Sequence, residues 1–277
     1  MREIRITPRK PGEAAPVNTS RITVLGAGAP RSGKTRFAAT FPRPLILADE
    51  TEGGYTTVET MDSALWYEPN IPPRVWAIGN VTEFNQAIPE ANNLIAKKEI
   101  QSIVVDSITF LADLMLAHLF SVLGTGDNRK VYGQLGVQLR DLRVKVHALK
   151  ANVFWACLIQ PPDEDHPLPR PSIPGKQGMA FGAGCDYILE FQRSVDKGVT
   201  RHSILTQSAI AGGRDSGALP PILPVPTYRG LVTLLQDRKA VEVVNDPEAI
   251  KAAAATVKAP PPTNAAGKRV FGAAVKK

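Results

Sequence analysis

Between residues 21 and 236 short apolar runs alternate with longer amphipathic ones. Arg21–Leu25 is a short β-rich run that enters a Gly-rich loop, and a helix follows from about Lys34. Leu45–Ala48, Val75–Ile78, Ile103–Val105 and Val153–Ile159 are apolar at every position. A strand without polar alternation belongs in a sheet covered on both faces. Thr82–Lys98, Ser107–Leu123 and Val131–Lys150 read as helices, with Thr82 as the N-cap of the first and Pro89 awkwardly placed inside it, where it can kink the helix. Tyr187–Phe191 and Ser203–Thr206 are strand-like, and Tyr228–Leu235 is a final packing helix. The alternation predicts an α/β fold, a mainly parallel central sheet flanked by helices. No internal repeat is visible.

The two ends break this pattern. Residues 1–20 are rich in Pro and charge, and residues 246–277 are Ala, Pro and Lys with a run of prolines at Pro260–Pro262. Neither has apolar surface enough to offset ordering entropy, so a flexible arm (1–20), a core (21–245) and a disordered basic tail (246–277) are expected. Val270-Phe271 is an apolar spot in that tail, either a docking peptide or part of a solvated segment. The net charge of +7 sits mostly outside the core: residues 251–277 carry +6, residues 1–20 carry +2, and about −1 remains between them. Contact with nucleic acid therefore has to come from local patches or the tails. No run spans a bilayer, the N-terminus lacks the apolar stretch of a signal peptide, and Cys157 and Cys185 have no metal-ligand spacing. A reducing cytoplasm with no membrane partner is the expectation.

The chemistry is concentrated at GAPRSGKT. Gly28, Gly33, Lys34 and Thr35 satisfy the P-loop pattern, and the flanking strand and helix are the context it requires. The stretch Gly28, Ala29, Pro30, Arg31, Ser32, Gly33, Lys34, Thr35 and Arg36 is the expected ATP cradle. Backbone N–H groups would converge on the phosphates, Lys34 would neutralise them, and Thr35 would hold Mg²⁺. Asp106, ending the apolar run Ile103–Val105, is the second expected Mg²⁺ group. A plain helix-capping role is the alternative for it.

Val104-Val105-Asp106-Ser107 before a long helix resembles the Walker B segment of RecA-fold recombinases. The strand at Trp155–Ile159, followed by Gln160, resembles the strand that ends in their γ-phosphate-sensing glutamine and leads into a DNA-binding loop. Gly175–Phe191 resembles the return from that loop. Residues 20–236 thus resemble the core-only RecA-like P-loop NTPases of bacteriophages, single-strand annealing proteins included. The resemblance implies a glutamate past the second strand that activates water. In LADETEGGY that is Glu52, with Glu50 and Asp49 as near alternatives. It also implies an arginine finger in a K-N-R-x-G motif. AGGRDSG offers Arg214, with Gly212 in the lysine's place and one extra residue before the final glycine; Lys176 is a second group able to reach a neighbour's nucleotide.

For DNA, the segment Gly124–Gly133 reads as a loop carrying Arg129, Lys130 and Tyr132, suited to phosphates and base stacking. Arg140, Arg143, His147 and Lys150 recur at helical spacing, as a basic stripe or as an ordinary solvated face. The segment from Gln160 to Gly178 holds Arg170 and Lys176 but also Asp163-Glu164-Asp165 and six prolines, and so reads as extended. His118, His166 and His202 read as structural. The resemblance implies an Mg²⁺-dependent ATPase that assembles head-to-tail on single-stranded DNA, as filament or ring, and promotes annealing or strand exchange. A single-strand-binding protein is a further expected partner. A hexameric helicase or packaging motor, or an ATP-gated loader with negligible hydrolysis, fits the same core.

Overall fold

The apolar runs form the strands of one sheet. The computed structural model describes residues 21–50, 55–124, 127–164, 167–174, 177–196, 198–213 and 219–236; the arm at 1–20 and the tail at 246–277 lie outside them. In chain order the elements are β1 (Thr23–Gly28), α1 (Lys34–Ala38), β2 (Pro44–Asp49), α2 (Tyr55–Glu59), β3 (Arg74–Ile78), α3 (Val81–Ala96), β4 (Ser102–Asp106), α4 (Ile108–Leu123) and α5 (Asn128–Ala148). There follow β5 (Asn152–Cys157), β6 (Ile159–Gln160), β7 (Arg170–Pro171), α6 (Gln177–Gly182), β8 (Tyr187–Asp196), β9 (Val199–Leu205), β10 (Gly212–Gly213) and α7 (Tyr228–Gln236). The sheet order is β10-β8-β1-β5-β4-β2-β3. From β8 to β3 every neighbouring pair is parallel, while β9 and β10 add to β8 antiparallel. The result is a mainly parallel sheet flanked by helices.

Side-chain alternation divides the core between the two faces. Along β5, Val153, Trp155 and Cys157 join Leu25, Leu47, Val105, Phe84, Leu111 and Leu139 on the side of α3, α4 and α5. Phe154 and Ala156 join Val24, Ile46, Val104, Phe37 and Leu231 on the side of α1 and α7. On that second side Phe37, Phe41, Phe154, Phe191 and Tyr228 form a continuous aromatic cluster with centroids 4.5 to 6.1 Å apart. Burial of a side chain this size stabilises by about 1.5–3 kcal/mol. Phe37 belongs to α1, so the cluster fixes the helix that begins at the P-loop.

Three expectations shift. Asn80, not Thr82, caps α3: its side chain accepts from Glu83 N, and Glu83 accepts from Gly79 N in return. That reciprocal pairing settles the start two residues earlier. That helix continues past Pro89 to Ala96; Asn85 and Pro89 are both exposed, so water can satisfy the carbonyl the proline leaves free. The α5 helix begins at Asn128, because Asp127 accepts from Lys130 N, so Arg129, Lys130 and Tyr132 stand on helix and not in a loop. Finally, β5 leaves the sheet after Cys157. Gln160 lies instead in the separate β6-β7 ladder, paired with Arg170, and is exposed.

Candidate functional site

The parallel order puts β1 between β5 and β8, with β4 one strand further on. The carboxyl ends of β1, β4 and β5 therefore share one edge of the sheet, where Ala27 pairs with Cys157 and Asp106 with Ala156. The P-loop rises from that edge. Gly28 ends β1 at a place where a Cβ would meet Phe191 O at 2.5 Å and Ser32 Oγ at 2.6 Å, so only glycine fits. Gly33 has φ 101°, which lets the chain turn into α1. Ala29, Pro30 and Arg31 form an exposed crown, and Arg36 faces solvent from α1.

Beneath the crown the polar groups are withdrawn from water. Lys34 is buried, its ammonium donating to Gly28 O at 2.8 Å and Ala29 O at 2.9 Å. The Ser32 hydroxyl is fully buried with no hydrogen-bond partner. The Thr35 hydroxyl donates to Asp106 Oδ2 at 2.5 Å, spanning α1 and β4. Burial pushes the Asp106 carboxyl above the ordinary carboxylate range, while the Thr35 bond and the Lys34 charge pull it down. The Asp106–Ser107 peptide is cis, and Ser107 caps α4 by accepting from Phe110 N.

These residues fit a nucleoside triphosphate with Mg²⁺. A loop closed around an internal lysine, an orphaned buried hydroxyl and a Gly28 position that excludes a side chain make a cradle for phosphate. Thr35 and Asp106 supply hard oxygen donors. Among the described residues no three His, Cys, Asp or Glu side chains gather into a metal cluster. A cation here would therefore draw on Thr35, Asp106 and the oxygens of nucleotide and water, as Mg²⁺ does.

Residues 20–209 match the model of the AAA domain family. The chain belongs to the AAA domain family. Together with the Lys34 and Thr35–Asp106 geometry, this makes it a P-loop ATPase. No curated protein matches it. Among solved structures, the KaiC-like protein PH0186 from the hyperthermophilic archaea Pyrococcus horikoshii OT3 aligns with a TM-score of 0.41 at 16% identity, over 70% of this chain and 80% of that one. In this AAA domain no helix among the described residues is long and apolar enough to cross a membrane.

The other sequence-derived positions are scattered. Glu52, Arg214 and Lys176 lie outside the described residues. Of the alternatives to Glu52, Asp49 is buried at the end of β2 and Glu50 is exposed beside Gly79. The basic stripe on α5 divides. Arg143 donates to Ala180 O and Phe181 O and lies over the Phe181 ring, and His147 accepts from Trp155 Nε1 at 3.1 Å. Arg140 and Lys150 are exposed. Arg170 is paired with Asp163 at 2.8 Å, which consumes a cation of the expected DNA segment with an acid of the same segment. Tyr132 is 41% exposed, one edge of it against Phe120.

Two contacts escaped the sequence. Thr109 accepts from Leu158 N at 3.0 Å, so the first turn of α4, next to Asp106, holds the exit of β5. His202 of β9 lies 3.2 Å from Ser32 O in the P-loop. The strand expected at Ser203–Thr206 stopped short of His202, and the register that carries it to the P-loop was not legible.

Proposed function

We propose that this AAA domain hydrolyses ATP with Mg²⁺ while assembled head-to-tail on single-stranded DNA, in the manner of the phage-type annealing recombinases. The Thr35–Asp106 bridge carries the nucleotide half of the reading. It joins the end of the P-loop to the end of β4 at 2.5 Å, setting two oxygen donors beside the Lys34 ammonium. Mg²⁺ when bound supplies charge neutralisation at the phosphates; Lys34 shares that charge, and Thr35 and Asp106 keep the ion in place. Glu52 orients the attacking water and Arg214 of a neighbouring copy stabilises developing charge, with Lys176 as the other group able to reach across.

The DNA half is supported by the first turns of α5, where Arg129, Lys130 and Tyr132 are exposed together. Two cations beside an aromatic ring suit a sugar-phosphate backbone with unpaired bases. A single-strand-binding protein is the natural supplier of such a substrate. The test is ATP turnover with and without single-stranded DNA, joined to electron microscopy with an ATP analogue. Expected are Mg²⁺-dependent turnover stimulated by single strands, and filaments on them. Turnover indifferent to DNA, with no assembly, overturns the DNA half; closed rings in its place favour a motor.

A further inference from the structure

The hairpin of β8 and β9 reaches past the sheet beside the P-loop. Strands β8 and β1 stay in register as far as Phe191 and Gly28. There β1 turns into the P-loop, whereas β8 continues to Asp196 paired with β9. In that ladder Phe191 faces Ile204 and Arg193 faces His202. Alternation sets all four on one face, and Phe191 and Ile204 pack in the same cluster as Phe37 of α1. His202 is thus one step outward from the core, at the start of α1. Its Nδ1 lies 3.2 Å from Ser32 O, and its ring faces the Cα of Gly33, where a Cβ would come within 3.5 Å of Nδ1.

A carbonyl oxygen only accepts, so Nδ1 carries the proton in this contact. The Ser32 carbonyl and the Gly33 N–H belong to one trans peptide plane and point in opposite directions. Holding the carbonyl on the hairpin side therefore turns the Gly33 N–H towards the cradle, where Lys34 and the orphaned Ser32 hydroxyl already converge. The same bond polarises the peptide and makes its N–H a stronger donor. Glycine at 33 has φ 101° and the widest freedom to rotate that peptide, so an external hold has most effect there.

Resting on the reading of this loop as a nucleotide site, we propose that His202 is a positioning residue for it. Its Nδ1–H fixes the Ser32–Gly33 peptide so that the Gly33 N–H is presented to a phosphate oxygen. The β8–β9 hairpin thereby becomes part of the phosphate-binding apparatus.

Three variants of the full chain separate this from a packing role, with Mg²⁺-ATP affinity by calorimetry as readout. His202→Asn keeps an N–H near the Nδ1 position, His202→Leu keeps bulk without a donor, and Lys34→Ala reports on the nucleotide site itself. Loss of one oriented hydrogen bond predicts roughly three- to tenfold weaker binding for His202→Leu, with His202→Asn within about twofold of the parent. Equal affinity for His202→Leu and the parent overturns the proposal, as does His202→Asn failing as badly as His202→Leu. In both cases a Lys34→Ala protein that no longer binds leaves the nucleotide site standing. Undiminished binding by Lys34→Ala brings down that site reading instead. Should His202→Leu not fold, ¹⁵N spectra of the parent decide: the Nδ1–H tautomer at His202 and a Gly33 amide shift on adding ATP are expected, and the Nε2–H tautomer overturns the proposal.

Discussion

The nucleotide edge of the sheet and the basic face of α5 both carry cations, and they hold them in opposite ways. At the P-loop the single lysine is buried and its partners are backbone carbonyls of the loop it serves. On α5 and the segment after β5 the cations are either exposed, as Arg129, Lys130 and Arg140 are, or engaged in packing and pairing, as Arg143 and Arg170 are. A buried cation with fixed partners is organised before its ligand arrives and acts in low dielectric. An exposed one gains only screened attraction and releases counterions. The first arrangement suits chemistry on one small anion, the second a long polyanion read without sequence.

Replacing the buried cation should have the largest effect. Lys34→Ala is expected to lower ATP turnover by roughly 10²–10³, the scale of one lost electrostatic group in an enclosed site. Circular dichroism should show the fold retained, because Ala29 is exposed and the space the lysine leaves would let water reach the freed carbonyls. A folded variant with parental turnover would erase the contrast between the two regions.

Asp106→Asn sharpens the same contrast by separating function from stability. The folded carboxyl is raised above its ordinary value by burial, so the folded state holds the proton more tightly than the unfolded one. Stability from this group is present below the ordinary carboxylate value and is lost as pH rises through the higher folded one. The ligand-free Asn variant, which carries no charge, should then melt higher than the parent at neutral pH, by roughly 2–4 °C per kcal/mol recovered. The gap should close as pH falls to the carboxylate range. Mg²⁺-dependent turnover should be lost throughout. Thermal melts across pH, beside turnover assays, check both halves.

Within α5 the effect should depend on whether the cation is engaged. Arg143→Ala removes donors to Ala180 O and Phe181 O and should cost about 1–3 kcal/mol, read in urea melts. Arg140→Ala, at an exposed position inside the same helix, should leave stability within about 0.5 kcal/mol. Equal losses for the two would mean that the stripe is a uniform solvated face.

The fold was more legible than the site, for a physical reason. Strands buried on both faces have to be apolar throughout, so Leu45–Ala48 and Ile103–Val105 identified themselves, with ends close to the observed ones. The P-loop was legible because its chemistry is local: eight consecutive residues make the cradle. Asp106 was legible because a buried strand ending in a carboxylate beside a P-loop has few other uses. Contacts over long sequence separations were not. Arg143 and Arg140 differ only in which of them faces α6, and His202 reaches Ser32 across 170 residues through a hairpin register that no periodicity announces. Gln160 shows the same limit. An unbroken apolar run from Val153 to Ile159 hides the point after Cys157 where the chain leaves the sheet.

The smallest expected effect is the most specific to DNA. If the exposed cations at the start of α5 meet single-stranded phosphates, each contact removed should reduce the slope of log affinity against log salt by about 0.7. Arg129→Ala with Lys130→Ala should therefore flatten the ATP-dependent slope by about 1.4. Arg170→Ala should change it far less, because Arg170 is already neutralised by Asp163 at 2.8 Å, a pair worth about 0.2–1 kcal/mol that DNA would have to break. Tyr132→Ala should weaken binding with the slope preserved, since stacking displaces few ions. The cations of residues 251–277 complicate any single slope, so each variant is best titrated by fluorescence anisotropy with and without that segment. A slope that falls on deleting the segment alone, and is untouched by Arg129 and Lys130 whether or not ATP is present, would assign DNA binding to the tail. The face of α5 would then be only a solvated helix surface, and the contrast with the P-loop would reduce to burial without function on the second side.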